Sequence, residues 1–173
     1  MPRKTNRPSA SAARKGTFAY PAVESVGHQV RWTHRALQRE LETQIRPYGI
    51  TIGMWAFLRV LWEEDGLSQR ELSDRAGTTE PTTVTALHAM EKRGLVTRVQ
   101  NTADRRKSNI FLTAPARALR ELLLPTAREV NRAATGDLTR SEIETLKRLL
   151  TRIRANLSEA AASRAALAGK KAG

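Results

Sequence analysis

The sequence predicts a mainly α-helical fold with one small β-hairpin, on three observations. Apolar residues recur at three- and four-residue steps through most of the patterned region. Two Ser/Thr-x-x-Glu capping boxes and the glycines at 49, 66, 77 and 94 punctuate those helices. Only two short runs read as strands, and they bracket a basic turn. At 173 residues the chain is one ordinary domain, long enough to bury a core.

Residues 23–45 carry Val23, Val26, Val30, Leu37, Leu41 and Ile45 on one stripe, a long amphipathic helix closed by Pro47 and Gly49. Thr51 caps a second helix through Met54, Trp55, Leu58, Val60, Leu61 and Trp62, which stops at Asp65-Gly66. In Leu67-Ser68-Gln69-Arg70-Glu71-Leu72, Ser68 and Glu71 form a capping box, and Leu67 and Leu72 take the hydrophobic-staple positions. Gly77 ends that short helix where a left-handed residue is wanted.

Thr78-Thr79-Glu80-Pro81 restarts the chain as another helix, with Thr as cap and Pro in the first turn. Val84, Leu87 and Met90 or Glu91 make its inward stripe, leaving Thr82, Thr83, Thr85, Ala86 and Ala89 mostly facing out. Two short helices joined by a Gly-containing turn are a helix-turn-helix signature. Beyond Gly94, residues 95–100 and 108–112 are expected strands of a hairpin whose tip, 101–107, is basic. Residues 114–132 follow as a helix carrying Leu119, Leu122, Leu123 and Val130, with a kink expected at Pro125. A second capping box, Thr139 and Glu142 with Leu138 and Ile143 as staple, opens the last helix. Its stripe is Ile143, Leu146, Leu149, Leu150, Ile153 and Leu157. The Ala-rich 158–173 reads as a fraying helix end and tail, flexible from about 161.

Lys and Arg number 30 against 17 Asp and Glu, a net charge of +13 that points to an acidic partner, nucleic acid ahead of an anionic membrane. The absence of cysteine excludes disulfides, thiolate metal sites and thiol redox sensing. No apolar run is long enough for a membrane span and no secretory signal opens the chain, so a cytoplasmic location is expected. The charge is uneven. Residues 1–19 are expected to form a disordered basic arm, with Arg3, Lys4, Arg7, Arg14 and Lys15 and no acid in its first 16 positions. A second cluster, Lys92, Arg93, Arg98, Arg105, Arg106 and Lys107 with Asp104 as its single acid, lies inside the patterned region.

A helix that reads DNA needs a rigid partner and an outer face of small or polar groups suited to the major groove. Thr79, Glu80, Thr82, Thr83, Thr85, Ala86 and His88 are the candidate reading residues. A plain solvated helix face is the competing interpretation of the threonines. At the hairpin, Arg98, Asp104, Arg105, Arg106 and Lys107 are the candidate contacts. Asp104 paired with one arginine leaves the other for a narrow minor groove, where negative potential concentrates. A solubilising surface turn is the alternative there.

The motifs Leu67-Ser68-Gln69-Arg70-Glu71-Leu72, Val84-Thr85-Ala86-Leu87, Met90-Glu91-Lys92-Arg93-Gly94-Leu95-Val96 and Asp104-Arg105-Arg106-Lys107 with Leu112-Thr113 resemble the MarR family of winged helix-turn-helix transcriptional regulators. The resemblance runs from about residue 23 to 157. Ala114-Pro115-Ala116 departs from the charged pair and Gly usual in the family, and the long basic arm is a second departure. It implies a MarR-like winged-helix domain over 20–160, with a DNA-binding lobe near 51–113. It also implies a homodimer whose dimerisation region is built from N- and C-terminal helices, about 20–46 and 114–160. Independently, the apolar stripes of the first and last helices exceed what one small core can cover. Two symmetric readers would bind double-stranded DNA at a palindromic operator with half-sites about one helical turn apart.

The resemblance further implies a repressor released by a small anionic aromatic or acyl-thioester effector. Its pocket candidates here are His28, Arg31, Trp32, Met54, Trp55 and Leu58, with the tryptophans enclosing a ring and His28 or Arg31 meeting a carboxylate. Core tryptophans and surface polar residues are the alternative. No enzyme is expected. His28, His34 and His88 lack metal-ligand spacing, no nucleotide-binding or metalloprotease motif is present, and no cofactor is implied. The competing class is a ligand-independent basic or nucleoid-associated winged-helix protein; aromatic residues at 5% argue against single-strand stacking.

Overall fold

The computed structural model describes residues 22–101 and 108–171. The expected basic arm and the hairpin-tip calls Asp104, Arg105, Arg106 and Lys107 lie outside the described residues. The chain divides into two compact units, residues 1–36 and 37–173.

In the first unit a 3-10 turn, Ala22–Glu24, leads into helix α1, Val26–Ile45. Ser25 opens α1: its carbonyl accepts from the Gln29 N–H and its hydroxyl oxygen accepts from the His28 N–H at 3.3 Å. Val23, Val26, Val30 and Trp32 are all exposed.

The second unit contains the remainder of α1, the turn Arg46–Tyr48, α2 (Ile52–Leu61), β1 (Leu67–Ser68), α3 (Gln69–Ala76), α4 (Glu80–Lys92), β2 (Val96–Gln100), β3 (Ser108–Leu112), α5 (Ala114–Ala134) and α6 (Arg140–Lys171). The local signals act as their chemistry requires. Thr51 Oγ1 accepts from the Met54 N–H. The Ser68–Glu71 box is closed in both directions, the Ser68 N–H and hydroxyl donating to Glu71 Oε2 while Ser68 Oγ accepts from the Glu71 N–H. Gly77, at φ 64°, turns the chain out of α3, and the Thr78 N–H returns to the Ser73 carbonyl. The Thr139–Glu142 box opens α6 the same way.

One strand was not anticipated. Leu67 and Ser68, expected only as staple and cap, also form β1, pairing antiparallel with Ile110 and Asn109. With the expected hairpin, in register Val96↔Leu112 to Gln100↔Ser108, this makes a three-stranded sheet ordered β1-β3-β2. Asp65 pins the sheet to α5. Its Oδ1 accepts from the Leu112 and Gly66 N–H groups, and its Oδ2 accepts from Arg117. The core joins Met54, Phe57, Leu58 and Leu61 of α2 to Leu72, Leu87, Met90, Ile110 and Leu112. Burial of each large aliphatic side chain contributes about 1.5–3 kcal/mol.

Three other expectations change. On α4 the buried positions are Thr83, Leu87 and Met90, so the inward face starts at Thr83 and not at Val84. One residue rotates a helix by about 100°, which carries Val84 off that face to 45% exposure. Thr83, expected outside, is fully buried, and its hydroxyl is satisfied by donating to the Thr79 carbonyl at 3.1 Å. Ala86, also expected outside, packs half-buried against the core. The stretch after 158, read as a helix end and tail, is helical through Lys171; repeated alanine has the highest helix propensity. Helix α5 passes through Pro125, whose missing N–H removes one bond from the ladder.

Candidate nucleic-acid interface

Helix α4 is held from beneath by α3 and presents the opposite side to solvent. Capping and packing together set which side that is. Leu72 of α3 and Thr83, Leu87 and Met90 of α4 are all buried, and this buried stripe fixes the rotation of α4 about its axis. Exposed on the outer face are Thr79, Glu80, Pro81, Thr82, Val84, Thr85, His88, Ala89 and Lys92. Of the candidate reading residues, this brings together Thr79, Glu80, Thr82, Thr85 and His88. It withdraws Thr83 and turns Ala86 largely inward.

Polar groups on this face are partly organised already. The Thr79 and Thr82 hydroxyl oxygens lie 2.9 Å apart, so Thr79 uses its side chain across the first turn instead of capping the helix backbone. Thr85 donates its hydroxyl to the Pro81 carbonyl at 3.2 Å. Glu80, in the first turn, complements the positive end of the helix dipole. His88 Nδ1 stands 3.9 Å from Glu91 Oε2.

Arg98, expected as a wing contact, has two side-chain partners within the protein. Its Nε donates to Glu91 Oε1 at 2.9 Å and its Nη1 donates to Gln69 Oε1 at 3.2 Å. The guanidinium thus ties β2 to α4 and to the start of α3. It borders a cleft of about 630 Å³ that also includes Gln69, Glu71, Asp74, Glu80 and Ser108. Its lining combines the guanidinium groups of Arg70 and Arg98 with the three carboxylates of Glu71, Asp74 and Glu80, so the cleft is of mixed charge. Beside it, Arg75 is hydrogen-bonded to Glu64; that bond chiefly, with the charges of Glu64, Glu71 and Glu63, holds the guanidinium more firmly protonated than usual. Asn109 Nδ2 donates to the Gly66 carbonyl, and Asn101 Nδ2 donates to Asn109 Oδ1, bracing the base of the hairpin.

The pocket candidates fall in both units. In residues 1–36, His28 and Trp32 have ring centroids 5.8 Å apart, Trp32 is 51% exposed, and Arg31 is exposed. In residues 37–173, Met54 and Leu58 belong to the hydrophobic core, because α2 is apolar on nearly every side. Trp55 is half-buried. It meets Trp62 edge-on at 5.7 Å and lies 5.9 Å beneath the Arg59 guanidinium. Trp55 and Arg59 border a cavity of about 350 Å³ completed by Leu41, Leu124, Ala127, Arg128 and Asn131. The α5 residues of this cavity carried no signal beyond ordinary amphipathic periodicity. Among the described residues, no group of three or more His, Asp or Glu is arranged to hold a metal ion, and no helix is long and apolar enough to cross a membrane.

Comparison with known proteins agrees with this geometry. Residues 50–108, from the start of α2 to the far strand of the hairpin, match the family model described as MarR family. Transcriptional regulator HosA of Escherichia coli O127:H6 is 29% identical over 126 residues, covering 73% of this chain and 85% of that protein. A MarR transcriptional regulator from Methanosarcina mazei Go1 superposes with a TM-score of 0.70 at 28% identity, over 77% of this chain and 96% of the other. A putative MarR family regulator from Listeria monocytogenes, in complex with a 26mer DNA, shares the fold. Its TM-score is 0.73 at 22% identity, over 78% of this chain and 90% of that one.

Proposed function

We propose that this chain, whose residues 50–108 match the MarR family model and which is similar to transcriptional regulators over about three quarters of its length, is a MarR-family regulator that acts as a dimeric, sequence-specific repressor. In this reading it binds a palindromic operator in double-stranded DNA and releases it to a small effector. The observation that carries the DNA reading is the exposed threonine and histidine face of α4, held rigidly over α3 and flanked by the hairpin. Thr79, Glu80, Thr82, Thr85 and His88 meet the major groove, and the basic residues Arg105, Arg106 and Lys107 supply further contacts to the duplex, one arginine in the minor groove. The basic residues 1–16 add attraction that is independent of sequence.

The dimer rests on apolar surface that one chain leaves uncovered. Leu146, Leu149 and Leu157 recur along α6 and all are exposed, as are Val26 and Val30 of α1. A second copy burying these stripes sets two α4 helices at a fixed spacing, which a palindrome matches.

The effector site in this reading is the cavity at Trp55. An indole and three aliphatic side chains suit a ring or acyl chain, and Arg59 and Arg128 suit its anionic end. Occupancy favours a dimer with a different reader spacing, which requires tighter binding to that state.

The test is competition at one fixed salt concentration. A palindrome selected from random DNA should be bound at least about a thousandfold more tightly than random duplex. Equal affinities would replace the repressor by a basic nucleoid-associated protein. Aromatic acids and their thioesters are then screened for release of the bound palindrome. Release that is lost in Arg128→Ala supports the cavity, and release unaffected by that change removes it.

A further inference from the structure

The middle of α4 carries a feature that hydroxyl readout does not use. Val84, Thr85, His88, Ala89 and Lys92 line a shallow open groove on its exposed side. Val84 is 45% exposed there, while its neighbour Thr83 takes the buried position on the same helix. Thr85 directs its hydroxyl back to the Pro81 carbonyl, so its remaining outward group is a methyl. The floor of the groove is therefore methyl and methine: Val84, the Thr85 methyl and Ala89. A titratable imidazole and an ammonium stand at its edges.

An apolar strip rimmed by cationic or protonatable groups has a specific complement in duplex DNA. The thymine 5-methyl is the one apolar group in the major groove, and it is flanked by phosphates. A protein partner would have to bury Lys92 against its own surface, whereas phosphate accepts it directly. Resting on the DNA-binding reading above, we propose that Val84, with Thr85 and Ala89, forms a thymine-methyl reading surface. By this surface each half-site requires thymine, and not merely an A·T pair, opposite the centre of α4. Val84 is thus a specificity-determining residue that discriminates by shape, without a hydrogen bond.

The test uses the full chain and a duplex selected by it from random-sequence DNA, resynthesised with deoxyuridine replacing thymidine at one position at a time. Deoxyuridine keeps every hydrogen bond and removes only the methyl. Wild type should lose about fourfold in affinity at one position of each half-site, the factor expected for burying one methyl-sized group. In Val84→Ala the penalty at that position should fall to about half its wild-type size or less, while penalties elsewhere persist. The substitution is at an exposed helical position and favours helix, so folding is retained. If selection enriches no sequence, the sequence-specific reading itself fails and takes this surface with it. If a sequence is enriched and the deoxyuridine scan is flat, or its penalty survives undiminished in Val84→Ala, the methyl-reading surface alone is overturned.

Discussion

Replacement of Arg98 by Ala separates two roles that one arginine near DNA can play. If Arg98 is a strut, its worth lies in the bonds to Glu91 Oε1 and Gln69 Oε1 that hold β2 against α4 and α3. A well-buried hydrogen bond to a charged group contributes about 1.5–3 kcal/mol. Here the side chains of Arg98 and Glu91 remain 32% and 28% exposed, so water screens the pair toward the value for surface ion pairs. A coupling of about 1 kcal/mol follows from these two limits. A thermal-unfolding cycle of Arg98→Ala, Glu91→Ala and the double variant should return that coupling. Loosening the hairpin by the same energy should weaken operator binding about fivefold. The slope of log affinity against log salt should not change, because the strut releases no counterion. A phosphate contact behaves oppositely. Its loss lowers the slope by about 0.9, and removing Glu91 would free the guanidinium and tighten binding. A lowered slope together with no coupling between positions 91 and 98 would refute the strut.

Three further outcomes are expected. Gly66 sits at φ 77° and a Cβ there would lie 2.6 Å from the Phe111 ring, so Gly66→Ala should destabilise the sheet by about 1–3 kcal/mol, read as a fall in Tm. Thr83→Val removes a buried hydroxyl that donates to the Thr79 carbonyl; it should cost about 1 kcal/mol or less in urea unfolding and leave base preference intact, whereas Thr82→Val, on the exposed face, should alter preference with little effect on stability. The Glu142 carboxyl is held below the usual carboxylate range, chiefly by the Thr139 hydroxyl and then by its N–H. Its contribution to the start of α6 is therefore full above the ordinary carboxylate pKa and is lost as pH falls through the lowered one; an NMR titration of Glu142 should show this depression, and Thr139→Ala should lessen it, leaving the part due to the backbone N–H.

The elements themselves were legible because their signals are local. The two capping boxes, the Thr51 cap and Gly77 act over three to five residues, the hairpin strands pair eight to 16 residues apart, and each has the partner that its spacing implies. So was the site's general position, since the motifs around α3, α4 and the hairpin are contiguous in the chain. The phase of α4 was not legible. Val84 and Thr83 differ by one position, and a rule that places aliphatics inside and hydroxyls outside selects the wrong one. Thr83 is accommodated by a bond to its own helix, which frees the choice. The partners of Arg98 were equally hidden, because they lie seven and 29 residues away. The same distance hid β1, the clamp from Asp65 to Leu112 and Arg117, and the α5 side of the cavity at Trp55.

The sequence by itself determined the helices, their caps, the hairpin and the strongly basic charge, since each depends on residue types at short spacing. Only the tertiary structure decided which side of α4 faces outward and which arginine is tied as a strut. Those choices follow from minimising exposed apolar area and unsatisfied polar groups over the whole core at once, and no short window of residues contains that sum.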